Sequence, residues 1–267
     1  RLSNNSKLFY ENYLMHHNHN KKLKTFYLDM FKYSYNSDSI VTKLSRRFHR
    51  LFQRIFFGNF FNSKNLSLEM QKIASKSTLD FIEENCSDAV SFDSKENNLL
   101  HALNASDKNG LYLEFGVFNG KSINFIADKI QDRKIYGFDS FEGLPEYWRN
   151  GMPKGTFKTN IPKCRKNVSL VVGQFKDTLS DFFGNNNEFI SFAHIDCDLY
   201  SSTKEVLDNI SNFIRSGTVL VFDDFFNYYG WENGEAKAFQ EFITRSKKKF
   251  SYLSYTINSE SLTVKFE

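Results

Sequence analysis

The sequence predicts an α/β protein built on a doubly wound, mostly parallel sheet, and three observations predict it. Short apolar runs rich in β-branched residues alternate with stretches of helical periodicity. Most of those runs close on Gly or Asp, and the last two of the alternating series, residues 189–195 and 218–222, close on paired acidic residues. Strand, crossover helix and strand lay successive strands parallel, so their carboxyl ends, where open α/β sheets bind ligands, share one edge.

The first strand, residues 111–115, runs into Glu114-Phe115-Gly116-Val117-Phe118-Asn119-Gly120-Lys121-Ser122, and a helix follows with Ile123, Ile126, Ala127 and Ile130 on one face. Glycines at such a turn let the backbone approach a ligand while the helix start offers free amides. The spacing is Gly-x-x-x-Gly after an acidic residue, not Gly-x-Gly-x-x-Gly, and Gly120-Lys121-Ser122 lacks the glycine five places earlier that a phosphate loop needs. The second strand, residues 134–138, ends at Asp139, 23 positions after Gly116. That is near the spacing at which an acidic residue meets ribose hydroxyls, and an acceptor-only carboxylate matches a diol; the competing reading is a simple turn Asp. The turn-rich stretch 140–148 then offers a lid, with Trp148 as either lid or core anchor. A third strand, 168–172, leads to Gly173-Gln174-Phe175 and a helix starting near Asp177, which turns Gln174 toward the same edge.

The fourth strand, 189–195, is apolar apart from Ser191 and His194, and the fifth is 218–222. Between them Ser202 and Glu205 have capping-box spacing, Val206, Ile210, Phe213 and Ile214 make an apolar face, and Gly217 is a stop signal. Asp196 and Asp198 follow the one strand and Asp223 and Asp224 the other, 27 positions separating Asp196 from Asp223. A single Asp at a strand end is commonly a turn former or helix cap. Four on neighbouring strand ends, two of them adjacent in sequence, call for a compensating charge, and oxygen ligands suit a hard divalent cation.

A chain of 267 residues holds one large α/β domain and an appendage. The net charge of +4 hides an asymmetry: residues 1–70 carry twelve Lys and Arg against four Asp and Glu, a charge of +8, leaving −4 for the rest. Basic and aromatic residues alternate there, as in Arg46-Arg47-Phe48-His49-Arg50-Leu51-Phe52. We expect residues 1–70 to be a basic, aromatic-rich helical extension that packs on the main domain or a sister subunit; peripheral contact with an anionic membrane is the sharper alternative, ahead of nucleic acid. Cys86, Cys164 and Cys197 are an odd set without metal-ligand spacing, which predicts reduced thiols and a cytoplasmic protein. No stretch reaches the roughly 20 apolar residues of a membrane span. The sequence opens on Arg1 without a signal-peptide pattern, which is the expectation for a segment of a longer chain.

In this order the motifs resemble the class I S-adenosylmethionine-dependent methyltransferases and, more narrowly, the macrocin O-methyltransferase family of tylosin and mycinamicin sugar methyltransferases. The resemblance rests on Glu114-Phe115-Gly116-Val117 with Gly120 and Ser122, Asp139-Ser140-Phe141-Glu142-Gly143-Leu144-Pro145, Gly173-Gln174-Phe175-Lys176-Asp177-Thr178-Leu179, Asp196-Cys197-Asp198-Leu199-Tyr200-Ser201-Ser202-Thr203 and Phe222-Asp223-Asp224. It implies a Rossmann-like seven-stranded sheet with an antiparallel last strand, closed by a hairpin of residues 252–256 and 262–266, within a methyltransferase domain over 71–267. It implies S-adenosylmethionine over Glu114, Phe115, Gly116, Gly120, Ser122, Asp139, Ser140, Phe141, Gln174 and Asp196, and Mg²⁺ or another divalent cation on Asp196, Asp223 and Asp224. The expected reaction is methyl transfer to a sugar hydroxyl of a glycan or glycosylated metabolite, in a homo-oligomer.

Such a reaction needs a base for the hydroxyl proton. Asp198 is the first candidate, with His194 and Glu235 behind it; His194, on a buried strand, reads more readily as a hydrogen-bonded core residue. Asn227, Tyr228, Tyr229 and Trp231, beside Gly230 and Gly234, read as a mobile acceptor-binding loop or as packing aromatics. Two alternatives belong to other classes: an NAD-dependent sugar oxidoreductase, disfavoured by the glycine spacing, and a non-catalytic nucleotide-binding scaffold.

Overall fold

Two-residue alternation along the central strands sorts their side chains onto two faces, and each face is covered by its own helices. The structure is a computed structural model and describes residues 65–130 and 132–267, so the extension expected over 1–70 lies outside the described residues apart from its last six. Among the described residues the elements are α1 (Leu66–Asn85), β1 (Val90–Phe92), α2 (Lys95–Ala105), β2 (Leu111–Phe115), α3 (Lys121–Lys129), β3 (Ile135–Asp139), β4 (Val168–Val172), α4 (Phe175–Gly184), β5 (Ile190–Ile195), α5 (Tyr200–Ile210), β6 (Val219–Phe222), α6 (Glu235–Ser246), β7 (Phe250–Thr256) and β8 (Leu262–Phe266). Short 3-10 turns cover Ser211–Phe213 and Trp231–Asn233.

The strands form one sheet in the order β1-β7-β8-β6-β5-β2-β3-β4. β8 is antiparallel to both its neighbours and every other pair is parallel. Leu113, Phe115, Ala193, Ile195, Leu220 and Phe222 face one side, where they join Leu179 and Phe183 of α4, Val206 and Leu207 of α5, and Phe239 and Phe242 of α6. Tyr112, Phe192, Val219 and Val221 face the other side and meet Leu99 and Leu103 of α2 and Ile123 and Ile126 of α3. The Phe-rich composition is spent here: Phe222, Phe225, Phe226 and Phe239 are fully buried, each adding about 1.5–3 kcal/mol relative to exposure.

The predicted closing hairpin is present as β7 and β8, but the sheet has eight strands, not seven. The additional strand, β1, pairs in parallel with β7 at the sheet edge through only three residues, two of them exposed, too few for an alternation to be read. The helix after β5 also starts earlier than its capping-box spacing suggests. Leu199 precedes its first turn with no side-chain cap, the Thr203 amide bonds the Leu199 carbonyl, and Ser202 already lies inside. The helix ends at Ile210, so Phe213 belongs to the 3-10 turn. None of the described helices is long and apolar enough to cross a membrane. Cys86, Cys164 and Cys197 are free thiols.

The strand order reverses between β2 and β5, because β3 and β4 are added on one side of β2 and β5 and β6 on the other. The carboxyl ends of these strands flank the crevice where such sheets bind ligands.

Candidate active site

Beyond β2, β5 and β6 the chain keeps hydrogen-bonding in step: Gly116 N to Phe138 O at 2.9 Å, Asp196 N to Phe115 O at 2.8 Å, and Asp223 N to Ile195 O at 2.9 Å. The backbones meet most closely at Gly116, whose φ is 92° and where a Cβ would lie 1.8 Å from the Asp196 carbonyl oxygen. No side chain fits there, and this contact fixes the glycine turn against the first acidic residue.

Asp139 organises the turn from the next strand. Its Oδ2 accepts the Val117 and Phe118 amides, both at 2.8 Å, and its Oδ1 accepts the Phe141 amide at 2.7 Å. Phe118 and Phe141 take positive φ values of 46° and 57°, and these bonds hold them there. The stretch predicted as a lid is a folded loop: Leu144 and Thr156 bond across it, Gly155 returns to Leu144, and Thr159 N bonds Phe141 O. Phe157, also at positive φ, packs edge to face on Phe118 at 5.4 Å.

These segments enclose an open cleft of about 760 Å³. Of the residues expected to touch the cofactor, Gly116, Asp139, Ser140, Gln174 and Asp196 line it, as do Asp198 and Ser202. Glu114, Phe115 and Phe141 are buried. Gly120 is the left-handed cap of α3 and Ser122 lies in its first turn.

The acidic side is assembled from β2, β5 and β6. Glu114 and His194 pair in register across the sheet, and His194 Nδ1 lies 2.8 Å from Glu114 Oε1, both fully buried. The other ring nitrogen, Nε2, is 3.5 Å from Asp223 Oδ1. Burial alone would favour neutral imidazole, but the Asp223 and Glu114 carboxylates outweigh it and push the His194 pKa well above its ordinary value. Burial would likewise raise Asp223; bonding to His194 and the charge of Lys95 overcome it and bring Asp223 down to about 2. Asp196 and Asp224 go the other way, driven well up by burial and then by the Asp223 charge. Asp198 rises to about 7, mainly through burial. It sits at φ 61° in a three-residue turn closed by Leu199 N to Cys197 O at 2.5 Å, a strained geometry.

Glu235, the buried first residue of α6, accepts the Asp224 amide at 3.3 Å and the Thr203 hydroxyl at 3.2 Å. Burial and the Asp198 charge raise it to about 8. Candidate ligand atoms fall into two sets whose members lie within 4.8 Å of one another, His194 with Asp196 and Asp223, and Asp196 with Asp198 and Asp224. The predicted trio Asp196, Asp223 and Asp224 is divided between the sets, with Asp196 in both.

Residues 113–225 match the family described as "Methyltransferase domain". A curated relative from Streptomyces olivaceus, 8-demethyl-8-(2,3-dimethoxy-alpha-L-rhamnosyl)-tetracenomycin-C 4'-O-methyltransferase, is 26% identical over 141 residues, covering 43% of this chain and 53% of the relative. The chain thus spans about half the length of the curated relative it matches. Among solved structures, the calicheamicin methyltransferase CalS11 superposes with a TM-score of 0.52 at 19% identity, covering 92% of this chain and 94% of its own, and so shares the fold.

Two basic residues at the acidic cluster carry no signal in the sequence. Lys95, at the start of α2 and outside the matched residues, places Nζ 2.5 Å from Asp223 Oδ2. Arg149, on the loop after β3, places Nη2 3.6 Å from Asp224 Oδ1 and Nη1 2.9–3.0 Å from both oxygens of Glu260. Its guanidinium lies 3.8 Å from the Trp148 ring centre and 4.8 Å from that of Tyr228. Both residues are far in sequence from the carboxylates they meet.

The loop after β6 is also held more firmly than its glycines suggest. From α1, Gln71 donates to Asn227 O at 3.0 Å, the Thr78 hydroxyl accepts the Asn227 amide at 2.9 Å, and Ser77 accepts the Trp231 indole N–H at 2.8 Å. The donor set beside the cleft fits a hard divalent cation. Asp196, Asp223 and Asp224 offer carboxylate oxygens, with His194 beside them, and Asp196 and Asp224 are pushed up by burial and by the Asp223 charge, a condition that a divalent charge relieves.

Proposed function

We propose that the chain moves a methyl group from S-adenosylmethionine to a hydroxyl of a sugar, in a glycan or a glycosylated metabolite, with a divalent cation held by Asp196, Asp223 and Asp224. One observation carries this reading: the cleft lined by Gly116, Asp139 and Gln174 is lined also by Asp196 and Asp198 of the carboxylate cluster. A nucleoside-sized donor and a cation-bound acceptor would therefore share one crevice. The name of the Streptomyces relative specifies a rhamnosyl sugar, which makes a rhamnosyl glycoside the acceptor class to try first.

S-adenosylmethionine, when bound, would supply an electrophilic methyl on a sulfonium sulfur, with the neutral thioether as its leaving group. A divalent cation, when bound, supplies orientation of substrate oxygens and a lowered hydroxyl pKa. The chain's own residues must then bind, align and deprotonate. Asp139 has already spent three of about four carboxylate lone pairs on backbone amides, so it would accept one ribose hydroxyl rather than both, leaving the second to Ser140 or Gln174. Asp198 is the base we assign. It lines the cleft, and burial brings its carboxyl to about 7, near the value at which a general base works best. His194 is bonded to Glu114 through Nδ1 and faces Asp223 Oδ1 at 3.5 Å through Nε2, and Glu235 is engaged at both oxygens, which supports giving them positioning roles.

Calorimetric titration with S-adenosylhomocysteine, together with transfer of labelled methyl to a rhamnosyl glycoside, tests the reading. Asp198→Asn should leave S-adenosylhomocysteine affinity intact and lower turnover by about 10²–10⁴. Absence of S-adenosylhomocysteine binding in the wild type would remove the donor; transfer that persists in chelator would remove the metal.

A further inference from the structure

The acidic cluster is neutralised from outside by two cations held in different ways. The carboxylates of Asp223 and Asp224 are 11% and 7% exposed, whereas the side chains of Lys95 and Arg149 that meet them are 40% and 27% exposed. Each cation therefore stands between a carboxylate and solvent. Arg149 is fixed: both oxygens of Glu260 hold one nitrogen, and its plane lies against Trp148 and Tyr228. Among the described residues Lys95 hydrogen-bonds to Asp223 alone, at the end of a flexible four-carbon stem. It is also the first residue of α2, after the Ser94 cap, where the partial positive charge of the helix end opposes an ammonium. Asp223 is what holds it there, and nothing comparable anchors it once Asp223 is engaged elsewhere.

Resting on the metal reading above, we infer that Lys95 is an exchangeable counter-ion of the divalent-cation site. It occupies Asp223 until an ion arrives and then releases the carboxylate, while Arg149 stays in place on Asp224. Cation uptake is accordingly an exchange of one charge for two. The freed ammonium is left at the rim of the cluster.

The experiment uses the full chain and Mn²⁺ as the probe. Titration calorimetry and thermal melting, in chelator and in saturating Mn²⁺, compare wild type with Lys95→Met, Lys95→Arg and, as a control for net charge, Lys204→Met. Removing the competitor should tighten Mn²⁺ binding by at least about fivefold in Lys95→Met and not in Lys204→Met. In chelator the Lys95→Met variant should melt earlier than wild type, and saturating Mn²⁺ should bring the two together. A purely structural ion pair would instead lower the melting temperature equally in both conditions.

Should Lys95→Met not fold, wild type alone still decides. Amine acetylation followed by mass spectrometry should find Lys95 more reactive with Mn²⁺ than with chelator. Mn²⁺ uptake by wild type with unchanged affinity in Lys95→Met, or equal Lys95 labelling in both conditions, overturns the exchange and leaves the metal site standing. No Mn²⁺ uptake by wild type removes both.

Discussion

On the glycine-turn side of the cleft, Asp139 binds three backbone amides at 2.7–2.8 Å and Gly116 presses the backbone of β2 onto that of Asp196. On the acidic side, Asp223 and Asp224 owe their balance to Lys95, Arg149 and His194. The first wall is short-range and directional, so its shape is set by folding alone. The second depends on charge, so its energy changes with whatever cation is present. In the reaction proposed above, a donor whose position must not vary and an acceptor whose activation must be switched on would make opposite demands, one on each wall.

The largest effect should come from the point where the walls touch. Gly116→Ala puts a methyl group into the Asp196 carbonyl and also forces an unfavourable φ, and should cost about 3–5 kcal/mol or abolish soluble expression. Urea unfolding measures it, and a loss below about 1 kcal/mol would mean the turn can move. Next is Asp139→Ala, which frees three amides and should cost about 3 kcal/mol. That cost should be the same with and without Mn²⁺; a loss recovered by the ion would collapse the distinction between the walls. The smallest expected change is Ser77→Ala. It leaves the Trp231 indole N–H, on a residue 5% exposed, without its partner, for about 1–2 kcal/mol of stability. Calorimetry should then find S-adenosylhomocysteine affinity unaltered.

The hydrogen-bonded wall was the more legible in sequence because its parts are local. Strand, glycine turn and helix follow one another from Leu111 to Lys129, and Asp139 closes the next strand. The carboxylates were equally visible, since Asp196, Asp198, Asp223 and Asp224 directly follow buried strands. What the pattern could not convey was their neutralisation. Lys95 reaches Asp223 across 128 positions and Arg149 reaches Glu260 across 111, and nothing local distinguishes either from any other surface cation. What holds the loop after β6 was hidden for the same reason. Its glycines are local, whereas the clamps from Gln71, Ser77 and Thr78 come from a helix about 150 positions earlier. β1 escaped because three mostly exposed edge residues have no period to show.

The turn at Asp198 has a consequence for how this protein can vary. With φ at 61°, the position admits Gly, Asn and Asp far more readily than any longer or branched residue. A change to Glu, conservative in charge, would add backbone strain to the shift in carboxylate reach. The routes by which neutral drift can explore other side chains at this point are therefore few, and the backbone closes most of them before chemistry is tested.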